Sequence, residues 1–248
     1  MKDKLVSVIT PMYNAQNWIE ETIFSVQAQT YQEWEMIIMD DCSVDDSPEI
    51  VKKLQEKDKR IKYFRNEKNR GVATTRNRAI ECATGRYIAF LDSDDRWFPN
   101  KLEMQIQTMQ KKDAAFCFSA CEVIDQKGER VNVRQVPERV SYRELLRGNV
   151  IPCLTVILDR KHIPEIMMPQ IPHEDYATWL KILKNGNVAY GVNEILASYR
   201  EGGNTVSSDK LKAMRWTWAI YRDYLGLSLC KASFYFCCYV WNALKKRR

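Results

Sequence analysis

The feature that most limits how this chain can fold is an alternation in its first 112 residues, where short β-favouring runs trade places with segments of helical period. Residues 5–10 form the first run, closed by Pro11, and Trp18, Ile19, Thr22, Ile23 and Val26 then fall on one helical face. A second run, 34–39, ends in Asp40 and Asp41, after which Ser47 as N-cap and Pro48 in the first turn open a helix carrying Ile50, Val51 and Leu54. Residues 61–64 give a third strand and 72–82 a helix ended before Gly85. A fourth run, from Tyr87 to Leu91, stops abruptly at Asp92, Ser93, Asp94 and Asp95, and a helix is expected over about 100–111. Such alternation predicts an α/β fold, a mostly parallel sheet with helices on both faces.

The second half is mixed. Strands are predicted over 114–124, 154–158 and 195–199, with a turn at 125–128. Ser141 followed by Glu144 is a capping box that opens a short helix. Residues 174–183 read as a helix ended near Gly186, and two helices are expected from Asp209 onward, broken at 226–228.

Composition removes several classes. With 45% apolar and 28% charged residues, the 248-residue chain is a folded protein, large enough for one α/β domain and a helical appendage. No N-terminal signal is visible, and the longest apolar stretch, 232–244, is too short and too broken to span a bilayer. Eight cysteines without zinc spacing read as reduced core thiols of a cytosolic protein, and two histidines exclude a multi-histidine metal site. The net charge of +6 is local: after residue 200 there are nine Lys/Arg against three acids, whereas the first 200 residues balance at 29 each. That distribution argues against a nucleic-acid groove on the main domain and for an anionic surface beside the tail.

Three predicted strands end in residues able to do chemistry: Tyr13 and Asn14 after Pro11, then Asp40–Asp41, then Asp92, Asp94 and Asp95. In a parallel sheet the carboxyl ends share one edge, where open α/β sheets bind ligands. Tyr13 can stack on a nucleobase while Asp41 accepts its imide N–H. Asp94 can hold a divalent cation bridging a diphosphate, with Asp92 supporting the ribose or the metal. Arg76 and Asn77 add candidate diphosphate or base contacts. No GxGxxG follows a strand and no GxxxxGK[ST] exists, so a phosphate site here relies on metal and side chains.

Read in order, residues 8–14, Asp40–Asp41, residues 69–71 through Arg76 and Asn77, Asp92 to Asp95, and residues 173–180 resemble the motifs of family 2 glycosyltransferases over roughly residues 5–200. The resemblance implies a GT-A fold, a nucleotide-sugar donor (often a UDP-sugar), Mg²⁺ or Mn²⁺, and inversion at the anomeric carbon. By position it gives Pro11, Tyr13 and Asp41 to the nucleoside, Asp92 to the ribose or metal and Asp94 to the metal. Asp175 becomes the general base, with Glu174 beside it as an acceptor contact. Trp97 either lines the sugar pocket or fills the core. The expected organisation is a glycosyltransferase domain over 1–205, nucleotide-binding to about 112 and acceptor-binding beyond, then a helical extension over 206–248.

That extension carries Trp216, Trp218, Tyr221, Tyr224, Phe234, Tyr235, Phe236, Tyr239 and Trp241 and ends Lys245-Lys246-Arg247-Arg248. Aromatic rings beside a polybasic end suit a helix in the interface of an anionic membrane; a helix pair packed on the domain or on a partner is the alternative. By family analogy, a cytoplasmic enzyme peripheral to the inner face of the membrane would take a glycan or lipid-linked glycan acceptor in cell-surface polysaccharide synthesis. Two other functions compete: a nucleotide-sugar-binding or membrane-scaffold protein without catalysis, against which Asp94 and Asp175 argue, and a sugar-phosphate nucleotidyltransferase, which would carry a glycine-rich loop after the first strand.

Overall fold

A computed structural model describes residues 2–202 and 210–245. The first half builds as its periodicity predicts: β1 (Lys2–Met12), α1 (Ile19–Gln27), β2 (Trp34–Asp40), α2 (Ser47–Lys57), β3 (Ile61–Arg65), α3 (Val72–Glu81), β4 (Gly85–Phe90), β5 (Arg96–Trp97) and α4 (Lys101–Lys112). The second half adds β6 (Phe116–Ile124), β7 (Arg130–Arg134), β8 (Arg139–Val140), α5 (Tyr142–Leu145), β9 (Ile157–Asp159), α6 (Glu174–Lys184), β10 (Ala189–Arg200), α7 (Lys210–Ala219) and α8 (Leu229–Lys245). Among the described residues one ten-stranded sheet runs β3-β2-β1-β4-β9-β6-β10-β5, with β7 beside β6 and β8 beside β10. The pairs β3/β2, β2/β1, β1/β4 and β6/β10 are parallel; β9 is antiparallel to both its neighbours. The carboxyl ends of β1, β2, β4, β6 and β10 therefore share one edge.

Strands buried on both faces explain the continuous apolar runs. Side chains alternate across the sheet: Val6, Val8, Met36 and Ile38 meet α1, α2 and α4 on one face, while Ile9, Ile37, Ile88 and Phe90 meet α3 and α6 on the other. The second face also receives Ile220, Tyr221 and Ala232, so the C-terminal helices pack on the domain. No described helix is long and apolar enough to cross a membrane.

Three expectations are corrected. Residues 154–158 are not one strand: a 3₁₀ turn covers Cys153–Thr155, and β9 starts at Ile157. Side chains take the carbonyls a strand would have paired, since Trp97 Nε1 donates to Leu154 O at 2.9 Å and Gln105 Nε2 to Thr155 O at 2.9 Å. Asp46, not Ser47, occupies the N-cap of α2; the Ser47 hydroxyl instead accepts the Ala15 N–H at 2.8 Å and ties the β1 loop down. The last strand begins at Ala189 rather than at 195 because its first residues pair with β6 and β8. The expected boundary at residue 205, the helix start at Asp209 and the terminal Lys246, Arg247 and Arg248 lie outside the described residues.

Candidate active site

The shared sheet edge opens into a cleft of about 1420 Å³ lined by Pro11, Tyr13, Asp41, Arg76, Asp92, Asp94, Glu174 and Asp175, among others. This exceeds the roughly 300–1,000 Å³ of an ordinary small-molecule pocket. Among the described residues, four non-glycine residues have a left-handed backbone, and three of them border this cleft: Asn14 next to Tyr13, Cys42 next to Asp41, and His173 at the start of α6. Each such conformation costs on the order of 1–3 kcal/mol, and strain of this kind concentrates where a loop has to aim side chains.

Tyr13 presents a half-exposed ring from the end of β1. Asp41, just past β2, is buried, and its carboxylate accepts Asn66 Nδ2 at 2.7 Å and the Arg70 and Gly71 N–H groups at 2.8 Å each. Three of about four acceptor sites are thus occupied. Asp41 fixes the 66–71 loop against β2 and keeps at most one direction for an incoming N–H.

Arg76 departs most from its expected role. It is buried, and its guanidinium bridges two walls, donating to Asp92 at 2.5 Å and to Glu174. Burial opposes its charge, but Asp92, Cys153 and Glu174 outweigh that and hold the charged form firmly. In this arrangement its guanidinium links the carboxylates of Asp92 and Glu174. Asn77 does not face the cleft either: it exchanges two 2.8 Å hydrogen bonds with the backbone of Met168. Trp97 resolves to the core, buried among Leu102, Leu154 and Ala197, and does not line the cleft.

The acids beyond β4 take three different situations. Asp92 is the partner of Arg76. Asp95 is buried and accepts the Arg200 N–H at 2.7 Å; burial, then Asp94 and Asp92, push its carboxyl well above the ordinary range. Asp94 reaches open space at the cleft floor, yet the surrounding walls desolvate it and Asp92 adds repulsion, so its pKa is pushed up to about 6. It has no ion pair among the described residues. Across the cleft, Glu174 and Asp175 stand in the first turn of α6, where the helix dipole favours acids. Burial, then Glu174, raise Asp175 to about 6 against the pull of Arg76.

Asp92, Asp94, Asp95, Glu174 and Asp175 thus face two buried guanidiniums, Arg76 and Arg200. No group of three metal-ligating side chains converges among the described residues. The oxygen donors of Asp94 and Asp92 nevertheless fit Mg²⁺ or Mn²⁺, which keep several positions for phosphate oxygens and water. The raised pKa and missing partner of Asp94 are what a cation at that carboxylate would relieve.

Several cleft residues escape a reading of the sequence. Arg200, at the end of β10, donates its N–H to Asp95, its Nε to Asp94 O at 3.0 Å and Nη2 to Glu21 at 2.6 Å, which fastens the acidic loop to the sheet. Tyr199 and Arg134 stack beside it, 4.6 Å from guanidinium to ring. Trp216 of α7 meets the His173 ring edge-on at 5.3 Å and lines the cleft. The available signal was the end of β10, a strand whose C-terminus lies on the same edge as the others.

Residues 7–158 match the family model described as glycosyl transferase family 2. The chain belongs to that family. TuaG of Bacillus subtilis (strain 168), a glycosyltransferase assigned to teichuronic acid biosynthesis, is 46% identical over 98% of this chain and 97% of its own length. WfgD of Escherichia coli, a UDP-Glc:α-D-GlcNAc-diphosphoundecaprenol β-1,3-glucosyltransferase, is 40% identical over 99% of this chain and 96% of its own. Among solved structures, residues 1–349 of S. aureus TarS with UDP-GlcNAc superimpose with a TM-score of 0.74, covering 97% of this chain and 72% of that one at 21% identity. The fold is GT-A.

Proposed function

We propose that this chain is an inverting transferase that moves a sugar from a UDP-sugar to a hydroxyl of a glycan or lipid-linked glycan during cell-surface polysaccharide assembly. The observation that carries the reading is the placement of Asp175, desolvated and near pKa 6, in the same cleft as Asp94 and Asp92. The acceptor class is supported by the relatives, one assigned to teichuronic acid biosynthesis and one acting on a diphosphoundecaprenol-linked sugar. Donor contacts fall to Pro11, Tyr13 and the remaining acceptor direction of Asp41.

Inversion is a single displacement. The acceptor hydroxyl oxygen bonds to the anomeric carbon as the bond from that carbon to the diphosphate breaks, and the hydroxyl proton passes to Asp175. Glu174, fixed by Arg76, is placed to accept a hydrogen bond from the acceptor beside it. Asp94, with Asp92, would hold Mn²⁺ or Mg²⁺, which neutralises charge growing on the leaving diphosphate.

UDP- and GDP-sugars screened with Mn²⁺ for release of nucleoside diphosphate in the presence of acceptor should identify a UDP-sugar. Asp175→Asn should lower turnover by about 10²–10⁴-fold, the usual contribution of a positioned base, while leaving UDP binding within a factor of two or so, since Asp175 touches no donor group in this reading. Wild-type transfer by that variant at saturating acceptor would sink the assignment.

A further inference from the structure

Helix α8 has two apolar faces. Ala232, Tyr235, Phe236 and Tyr239 turn toward the domain, with Phe236 meeting Trp218 of α7 edge-on at 5.3 Å. Its solvent side carries Cys230, Phe234, Cys237, Trp241 and Leu244, spaced four, three, four and three residues apart and so aligned along one stripe. Every one is exposed, Phe234 at 57%, Trp241 at 62% and Leu244 at 55%. A surface helix ordinarily turns polar residues outward, and a continuous exposed apolar row marks a surface that is covered in use.

We propose that this stripe seats the protein on an anionic phospholipid bilayer, with α8 lying in the interface plane. Charge selects this occupant over a second copy of the chain. Lys231 and Lys245 flank the stripe, and the chain continues into Lys246, Arg247 and Arg248. Two copies packed through the stripe would bring two such basic segments together, whereas an anionic lipid surface pairs the apolar row with its burial and the basic flank with its counter-charge. Trp241 is a residue type that settles at the headgroup level, and Phe234 and Leu244 suit the apolar face of an interfacial helix.

The surface adjoins the cleft. Asn242 Nδ2 donates to Arg147 O at 3.0 Å, and Tyr239 packs beside Gly148. The next residues, Asn149 and Val150, line the cleft, as does Trp216 of α7. A bilayer beneath α8 therefore lies next to the wall that includes α6, where a membrane-borne acceptor would enter. That consequence rests on the transferase reading; membrane seating itself does not.

The test uses the full chain and sedimentation with vesicles, either phosphatidylglycerol mixed with phosphatidylethanolamine or phosphatidylcholine alone. The expected result is partition onto the anionic vesicles, at least ten-fold weaker on phosphatidylcholine. The double variant Phe234→Ser/Trp241→Ser should lose at least ten-fold in partition while its thermal midpoint stays within a few degrees of wild type and its UDP binding is unchanged, since both residues are more than half exposed and neither lines the cleft. Lys245→Gln/Lys246→Gln/Arg247→Gln/Arg248→Gln should weaken binding to the anionic vesicles and reduce its dependence on salt, Lys231 remaining. No binding by the wild type, or equal binding by the double variant, overturns the proposal. So does a lipid-free dimer, seen by analytical ultracentrifugation, that the double variant lacks. Transfer to a water-soluble acceptor, retained in the double variant, separates a failure of this surface from a failure of the transferase reading.

Discussion

A base acts only when it holds no proton, and if Asp175 is the base proposed above, that condition changes within the useful pH range. Its pKa of about 6 follows from burial and Glu174, with Arg76 pulling it down. Turnover should therefore rise as pH increases through about 6 and level off above it, measurable as kcat between pH 5 and 8; a flat profile would remove Asp175 as the titrating base. The guanidinium of Arg76 sets this local balance. Arg76→Met would leave Asp92 and Glu174 without their shared cation, and removing one partner of a buried pair costs about 3–5 kcal/mol. Because Asp92 keeps 30% side-chain exposure, the lower end applies. At roughly 2–4 °C per kcal/mol for a chain of this size, the thermal midpoint should fall by about 6–12 °C. The kcat midpoint should also move to higher pH, which a purely structural loss would not produce. Arg76→Lys should not restore either, since one ammonium cannot reach both carboxylates as a planar fork does.

At the scale of elements, the strap 135–140 shows how the second half of the sheet is held. Gly191 of β10 donates its N–H to Glu138 O at 2.8 Å, and a Cβ there would come within 2.0 Å of Pro137 O and 3.2 Å of the Phe118 ring. Gly191→Ala has to push the strap off β10, and forced overpacking of this kind costs about 1–3 kcal/mol. A midpoint lowered by roughly 2–12 °C is expected by calorimetry, with β8 more open to amide exchange than α1 or α3. Elements carrying their own signal were legible: the helices α1 and α2 through their apolar residues, α3 and α6 through the glycines that end them, β1 to β4 through β-favouring runs, and α5 through the capping box of Ser141 and Glu144. Elements defined by distant partners were not. Strands β5 and β8 are two residues long and exist only through β10, and β9 is shortened because Trp97 and Gln105 claim the preceding carbonyls. The site divides in the same way. Tyr13, Asp41, Asp92 and Asp94 stand at strand ends and could be placed from order alone, whereas Asp175, at the start of α6, was reached through the family resemblance. Arg76 was visible, but its attachment to both Asp92 and Glu174 is a property of the folded arrangement, as is the hold of Arg200 on the acidic loop.

Over the whole molecule, the cleft lies along one edge of the sheet and gathers an excess of carboxylates, with Asp92, Asp94 and Asp95 after β4 and Glu174 and Asp175 in α6. In the proposed reading, donor contacts would come from the ends of β1, β2 and β4 and the base from α6; Arg76, paired with Asp92 and Glu174, is a covalently anchored cation between those walls. A second cation at Asp94 would complete this balance, and its binding is then linked to folding. A ligand that binds the native state alone stabilises it by about 2.7 kcal/mol at 100 times its dissociation constant. For a chain of this size that is a midpoint raised by roughly 5–11 °C. UDP with Mn²⁺ should give that shift, UDP alone a smaller one, and Mn²⁺ alone a smaller one still, because Asp94 and Asp92 leave most of the coordination shell to phosphate and water. Asp94→Asn should reduce the UDP–Mn²⁺ shift to that of UDP alone without lowering the unliganded midpoint, since Asp94 has no ion pair among the described residues to lose. A metal-dependent shift of full size in that variant would mean that the cation is held elsewhere, and the division of labour between Asp94 and Asp92 would have to be abandoned.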